Sequence, residues 1–240
     1  MPTEKRTVSE QRNAQTTINA LLTKLAKKAS EKNTAAFEGY AFRALRIAKV
    51  EGDPLMTAMV HLQLANAYLL TEKLKPALNE FRKATAQARA SRETGGSLAI
   101  EVELHALDGE GSVFFAMESY AVAGEVYKEV AEIADSAGQC LPMINGWLMA
   151  TFCHEMQGRY LEAFRCCEYA LLAGEKLPKN ERPKEGIAQA GDSLLRIGGL
   201  LKQENVARLS PNTFSGPEEV DLRMSELIGD DWRNYLPRKG

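Results

Sequence analysis

The chain has 240 residues, of which 45% are hydrophobic and 26% are charged, a composition that allows a folded core. Its formal net charge of −2 provides no global field for nucleic acid or an acidic membrane, so neither is expected as a partner. The sequence contains no apolar run near the ~20 residues that a membrane-spanning helix needs. An aromatic content of only 7%, in a chain rich in Ala, Leu, Glu and Lys, favours helix over sheet.

The first residues and the cysteines both bear on where the protein works. Residues 1–6 are polar and lead into no apolar segment, so we expect a disordered terminus and no secretory signal. The four cysteines lack the spacing of a disulfide framework and fit a reducing compartment. These features together predict a cytoplasmic protein.

Helical periodicity begins near the N-terminus and defines a first predicted unit over 7–50. Thr7 and Glu10 have the spacing of a capping box, and apolar residues recur at helical spacing after it. A turn at 30–33 separates this helix from its return helix. The tripeptide Gly52-Asp53-Pro54 then predicts a stop and a restart, because Gly ends helices, Asp caps them and Pro suits their first position.

The rest of the helical domain, which we predict over 7–203, consists of three pairs and a final single helix. The pairs are predicted over 54–92, 97–137 and 142–176, with a break at Gly95-Gly96-Ser97 and Ser97 as the cap. A helix over 183–203 has one apolar face and is expected to cover the end of the stack. Residues 204–240 are interpreted as a linker, a short amphipathic segment and an aromatic tail.

A six-position signature recurs three times with identical internal spacing. Each copy begins with a small residue, and the other positions are counted from it. Positions +3 and +9 are mostly aromatic, +12 is Ala, and +16 is aromatic or Cys. Position +19 is again a small residue. This pattern predicts two antiparallel helices that cross at small residues. The copies are Ala65, Tyr68, Leu74, Ala77, Phe81, Ala84; Gly111, Phe114, Tyr120, Ala123, Tyr127, Val130; and Thr151, His154, Tyr160, Ala163, Cys167, Ala170.

These repeats resemble the tetratricopeptide repeat, with Trp147 at its opening aromatic position and Gly158 and Tyr160 at its turn. The resemblance covers residues 55–176 and implies an all-α fold, an α-α superhelix of antiparallel helix pairs. Successive copies of the alanine after the turn are 46 and 40 residues apart, more than the family's ~34. The chain is therefore similar to the long-helix variants found in bacterial regulators and kinesin light chains.

The resemblance also implies a binding surface, because first-helix residues line the concave side in this family. The residues implied at that surface are apolar and rich in methionine, which suits adaptable binding of a protein or peptide. Asn66 alone matches a carboxylate clamp, so a chaperone-tail clamp is not expected. The implied partner-binding residues are Met59, Leu62, Asn66, Leu69, Phe115, Asn145, Leu148, Met149, Phe152 and Met156.

Two functions are compatible with such a groove. The first is a non-catalytic scaffold that binds a protein or peptide partner, as an adaptor or chaperone. The alternative is a structural homo-oligomer subunit whose apolar groove is its own dimer interface. Coverage of the groove by the chain's own termini also stays open at this point.

The sequence contains no constellation that predicts catalysis, a cofactor site or a metal site. The three histidines lie on three different predicted helices, and packing or surface roles explain them. Cys153, Cys166 and Cys167 could approach one another and His154 on one hairpin, but they lack Cys-x-x-Cys spacing. We therefore expect no enzyme and no bound cofactor.

The C-terminal tail carries large apolar side chains, Trp232, Tyr235 and Leu236. They follow the predicted linker and have no helical periodicity of their own. We expect them to dock in an apolar site, either on this chain's own helices or on another protein.

Overall fold

Paired helices joined by short turns build the chain in its computed structural model. The structure describes residues 8–203 and 217–236, so the expectations for 1–7 and for the linker at 204–216 lie outside it. The described residues contain no strand, which confirms the all-α prediction. The helices are α1 Val8–Ser30, α2 Thr34–Glu51, α3 Pro54–Leu70, α4 Leu74–Ala90, α5 Arg92–Ala116, α6 Tyr120–Ser136, α7 Cys140–Met156, α8 Tyr160–Glu175, α9 Lys184–Gln203 and α10 Pro217–Ile228.

The helix starts follow from the capping residues that the sequence offers. The Asp53 side chain accepts a hydrogen bond from the Met56 amide at 3.0 Å, and Pro54 occupies the first turn of α3. Asn33 caps α2 in the same way, through the Ala36 amide at 3.1 Å. Gly52 ends α2 with a φ of 66°, a conformation that glycine adopts without strain.

The expected break at Gly95-Gly96-Ser97 is present within α5. Gly96 has non-helical angles, φ 54° and ψ −135°, and interrupts the helix between a short turn that begins at Arg92 and the longer part that follows. Two arginines hold this turn closed, because Arg89 and Arg92 each place Nε 2.7 Å from a carboxylate oxygen of the fully buried Glu103.

The described residues form two compact units that divide between Met117 and Glu118. In the first unit, α3 lies at the centre and packs against α1, α2, α4 and α5. In the second unit, α7 packs against α6, α8 and α9, and α9 packs in turn against α10. Within each unit, consecutive helices pack pairwise, as they do in a helical-repeat solenoid.

Small residues let the paired helices approach closely. Ala77, Ala123 and Ala163, which occupy the same signature position, are all fully buried. At Gly146 a Cβ atom would lie 2.8 Å from the Tyr127 carbonyl oxygen and 2.9 Å from the Ala131 amide nitrogen. Those neighbours are backbone atoms of α6, so the crossing of α6 and α7 has no space for a side chain.

Gly146→Ala should therefore destabilise the second unit even though Ala is the better helix former. We expect a loss of about 1–3 kcal/mol in the free energy of unfolding, because α6 and α7 must move apart. Thermal unfolding followed by circular dichroism measures the effect as a lower Tm.

Gly199→Ala is the matched control, because Gly199 lies inside α9 and a Cβ there would meet nothing within 4 Å. This control should be neutral or stabilising. An equal loss in both variants would show that the α6–α7 crossing does not depend on close approach.

Candidate functional site

The predicted groove residues of α3 are largely used in packing. Leu62 is buried, with 7% of its surface exposed, in a core cluster with Ala77 and Phe81. Met59 and Leu69 pack in part against the same cluster. The assignment of Leu62 to an open groove is therefore wrong, because α3 has neighbours on several sides.

Asn66 is the groove residue of α3 that solvent reaches freely. It lines a recess of about 120 Å³ between α1 and α3, together with Leu25, Gln63 and Leu70. The remaining first-unit residue of the predicted set, Phe115 on α5, is half-buried. A recess of this volume is below the size of ordinary ligand pockets.

On α7 the predicted groove residues form a coherent stripe with one exception. Asn145 and Met156 are exposed, and Met149 and Phe152 between them are half-buried at helical spacing. Leu148, with 4% exposed, is the exception, since it lies near Gly186 of α9. The helix α9, which was expected to cover the end of the stack, packs against α7 at this position, so the assignment of Leu148 to an open groove is wrong.

The opposite face of α7 lines a larger opening, which we call the aromatic cleft. Met143 and Trp147 of α7, together with Tyr169, Leu172 and Ala173 of α8, line a volume of about 600 Å³. The Trp147 and Tyr169 rings lie with centroids 4.8 Å apart at an angle of 38°. Half of Tyr169 and 46% of Leu172 are exposed, so the cleft offers large apolar side chains to solvent.

Charged side chains surround the mouth of the aromatic cleft. Lys176 Nζ lies 2.7 Å from Asp135 Oδ1, which joins the end of α8 to the end of α6. Glu175 also lies at the mouth and pairs with Arg223 of α10 at 2.8 Å. An apolar floor with polar groups around it is the usual anatomy of a peptide-binding surface.

The sequence analysis placed Trp147 at the opening aromatic position of a repeat and assigned none of Trp147, Tyr169 and Leu172 to a binding surface. Tyr169 and Leu172 follow the signature's Cys167 at positions that face outward on a second helix, where polar residues are expected. An exposed Tyr and an exposed Leu one turn apart, on the same pair as a Trp, were the available signal.

The first unit has a second cleft, of about 500 Å³, at the junction of α2 and α3. Lys49, Thr57, His61 and Gln87 contribute its polar lining. His61 Nδ1 lies 2.6 Å from a carboxylate oxygen of Glu80. Burial pushes the pKa of Glu80 up, but hydrogen bonds from His61 and Lys83 outweigh burial and hold it below its ordinary value.

His154 is buried with both ring nitrogens lacking a hydrogen-bond partner among the described residues. Burial lowers its pKa, and Lys128 and Arg159 lower it further against the opposing effect of Glu162 and Glu125. A neutral imidazole here packs near Gly124 of α6.

Burial keeps the cysteine thiols near His154 in their protonated form. Cys153 and Cys166 are free and buried, and burial raises the pKa of Cys153 to about 12 and that of Cys166 to about 11. The described residues contain no group of three His, Cys, Asp or Glu side chains that could hold a metal ion.

The buried His154 should make the protein less stable in mild acid. Since the folded state binds the proton less readily than the unfolded chain, the free energy of unfolding should fall as pH drops below the ordinary histidine value of 6.5. His154→Phe should flatten this dependence, as measured by urea unfolding at pH about 7.5 and about 5.5. His105→Gln, at an exposed position, should keep the wild-type dependence, and a similar change in both variants would exclude His154 as the cause.

The C-terminal segment docks on the chain's own second unit. Trp232 is 1% exposed and its Nε1 donates to Asp221 of α10 at 3.3 Å. Lys184 of α9 donates to the Tyr235 hydroxyl at 3.0 Å, and Tyr235 and Leu236 are half-buried. Of the two docking sites that the sequence left open, the structure places these residues on α9 and α10.

Gly191 lets α10, which precedes the tail, pack closely against α9. A Cβ atom at Gly191 of α9 would lie 2.7 Å from the Met224 sulfur of α10. In a Trp147→Phe background, which leaves Trp232 as the sole tryptophan, the isolated protein should show blue-shifted emission. The end of the Met224 side chain can move aside for one methyl group, so a branched residue is the sharper change: Gly191→Ile should shift that emission to the red, whereas Gly199→Ile on the same helix should not.

Red emission in the Trp147→Phe protein would contradict docking on its own helices. An emission that Gly191→Ile leaves unchanged would show instead that α10 and Trp232 are held independently of the Met224 contact.

Comparisons with known proteins support the fold and give no information about function. No protein-family model matches the sequence, and no curated protein matches it either. The structure is similar to that of BtubC (BKLC) from P. vanneervenii, with a TM-score of 0.64 over 92% of this chain and 91% of that one. The two sequences are 14% identical, so the similarity shows a shared helical architecture alone.

Membrane insertion through a helix has no support in the described ranges. None of the helices in 8–203 and 217–236 combines the length and the apolar character needed to cross a bilayer.

Proposed function

We propose that this protein is a non-catalytic scaffold that binds a protein or peptide partner, as an adaptor or chaperone. The aromatic cleft of the second unit carries the proposal. Its volume of about 600 Å³ lies within the ~300–1,000 Å³ of ordinary ligand sites. The proposal includes membership of a long-helix branch of the tetratricopeptide repeat family and action in the cytoplasm, which four free cysteines support.

The chemistry of the aromatic cleft favours an apolar anchor residue from the partner. Trp and Tyr supply large contact areas at a small loss of side-chain entropy, and both are enriched where proteins bind partners. The exposed Leu172 stands beside them on α8. An aliphatic or aromatic side chain of an extended peptide would therefore cover surface that is now in water.

The ion pair at the mouth sets the orientation of such a peptide more than its affinity. Both Asp135 and Lys176 are more than half exposed, so their pair contributes little to stability. A peptide that exchanges its own charged groups with this pair gains direction along the cleft.

The proposal predicts that Leu172→Glu abolishes peptide binding and leaves the helical content unchanged. A random peptide display library selected against the full-length protein supplies the ligands, and fluorescence anisotropy measures their affinity. A buried carboxylate inside an apolar contact should weaken binding by roughly 100-fold or more.

Val122→Glu is the matched control, because Val122 has the same exposed fraction, 46%, and lies near the opposite end of α6 from Asp135. It should leave affinity unchanged. If the peptides bind the Leu172→Glu variant as tightly as the wild type, the aromatic cleft is not their binding site. If they instead lose affinity for a Met156→Glu variant, the binding site is the exposed stripe of α7.

The alternative, a structural subunit, uses the same cleft as its own interface. Light scattering of the full-length protein separates the two functions. A stable dimer that dissociates on Leu172→Glu would replace the scaffold proposal with self-assembly.

A further inference from the structure

The outward face of α2 combines exposed cations with exposed apolar side chains. Residues 39–50 contain no Asp or Glu. At 100° per residue, one arc of the helix holds Gly39, Phe42, Arg43, Arg46, Lys49 and Val50, and we call this arc the outer stripe of α2. All six residues are exposed, and Phe42 and Val50 are 61% and 62% exposed.

The buried face of α2 accounts for none of these residues. Phe37, Ala41, Ala44 and Ala48 pack into the core, on the opposite side of the helix. Arg43, Arg46 and Lys49 form no ion pair with any residue in the described ranges. One face of α2 therefore presents three cations and two large apolar side chains that no described residue covers.

We propose that the outer stripe of α2 binds an acidic amphipathic helix of a partner protein. Gly39 leaves one end of the stripe flat, since a Cβ there would meet nothing within 4 Å, and a second helix can approach it closely. Phe42 and Val50 then supply the apolar contacts, while Arg43 and Lys49 at the two edges of the stripe, and Arg46 between them, pair with carboxylates of the bound helix. From Gly39 to Val50 the stripe is roughly 16 Å long at 1.5 Å per residue, which matches three helical turns.

Charge complementarity selects this occupant over others. A second copy docked by the same face would bring two sets of three cations together, which is unfavourable. Three cations on a packed helix provide only weak attraction to an anionic membrane surface. Lys49 also lines the first-unit cleft, so a bound helix has further surface beside it.

Binding at the outer stripe of α2 does not depend on the aromatic cleft, and the experiment uses a protein in which that cleft is disabled by substitution. The bait is full-length protein carrying Leu172→Glu, and the probe is a display library of helix-forming peptides of about 18 residues, a length at which isolated helices become populated. The recovered peptides should be enriched in Asp and Glu flanking an apolar stripe. Arg46→Glu should weaken their binding roughly tenfold or more, and raising the salt from about 0.05 M to about 0.5 M should weaken it further.

Lys75→Glu is the matched control, because Lys75 is an exposed cation of the same unit on α4. This variant should bind the peptides as the parent does, and Phe42→Ala should weaken binding with unchanged helicity. Peptides that ignore Arg46→Glu, or a library without acidic enrichment, would overturn the proposal. Arg46-dependent binding to phosphatidylserine vesicles without peptide binding would replace the partner helix with a membrane.

Discussion

The architecture depends on how closely neighbouring helix backbones approach. At the α6–α7 crossing, Gly146 faces the carbonyl of Tyr127 and the amide of Ala131, so no side chain separates the two helices. At the α4–α5 contact, Gly109 likewise faces the Phe81 ring with no space for a Cβ atom. Close approach maximises the dispersion contacts of small residues, which otherwise contribute little to a core.

This constraint also decides which surfaces are left for binding. Close packing encloses α3 and part of α7, and it buries Leu62 and Leu148 at positions where an open groove was expected. Large apolar residues stay in solvent on the second helices of pairs, as at Tyr169 and Leu172 on α8 and at Phe42 on α2, and also on first helices, as at Leu70 of α3 and Met156 of α7.

The sequence predicted the helices well because their ends carry strong local signals. Gly52-Asp53-Pro54 acts through local backbone geometry and a nearby hydrogen bond, so no tertiary information was needed. The groove assignment failed at Leu148 because the contact with α9 joins segments distant in sequence. The cluster of Arg89, Arg92 and Glu103 could not be predicted for a similar reason, since these charges meet only once the chain reverses between α4 and α5.

The sequence did not predict the aromatic cleft. Trp147 was placed only at the opening aromatic position of the third repeat, and Tyr169 and Leu172 lie beside it only once α8 packs on α7. That juxtaposition is the central claim about function, and the two tryptophans of the chain allow it to be measured directly. Fluorine NMR of protein labelled with 5-fluorotryptophan should show the Trp147 resonance moving as a selected peptide is added, while that of Trp232 stays in place. A Trp147 resonance that does not move at saturating peptide would contradict the aromatic cleft as the binding site.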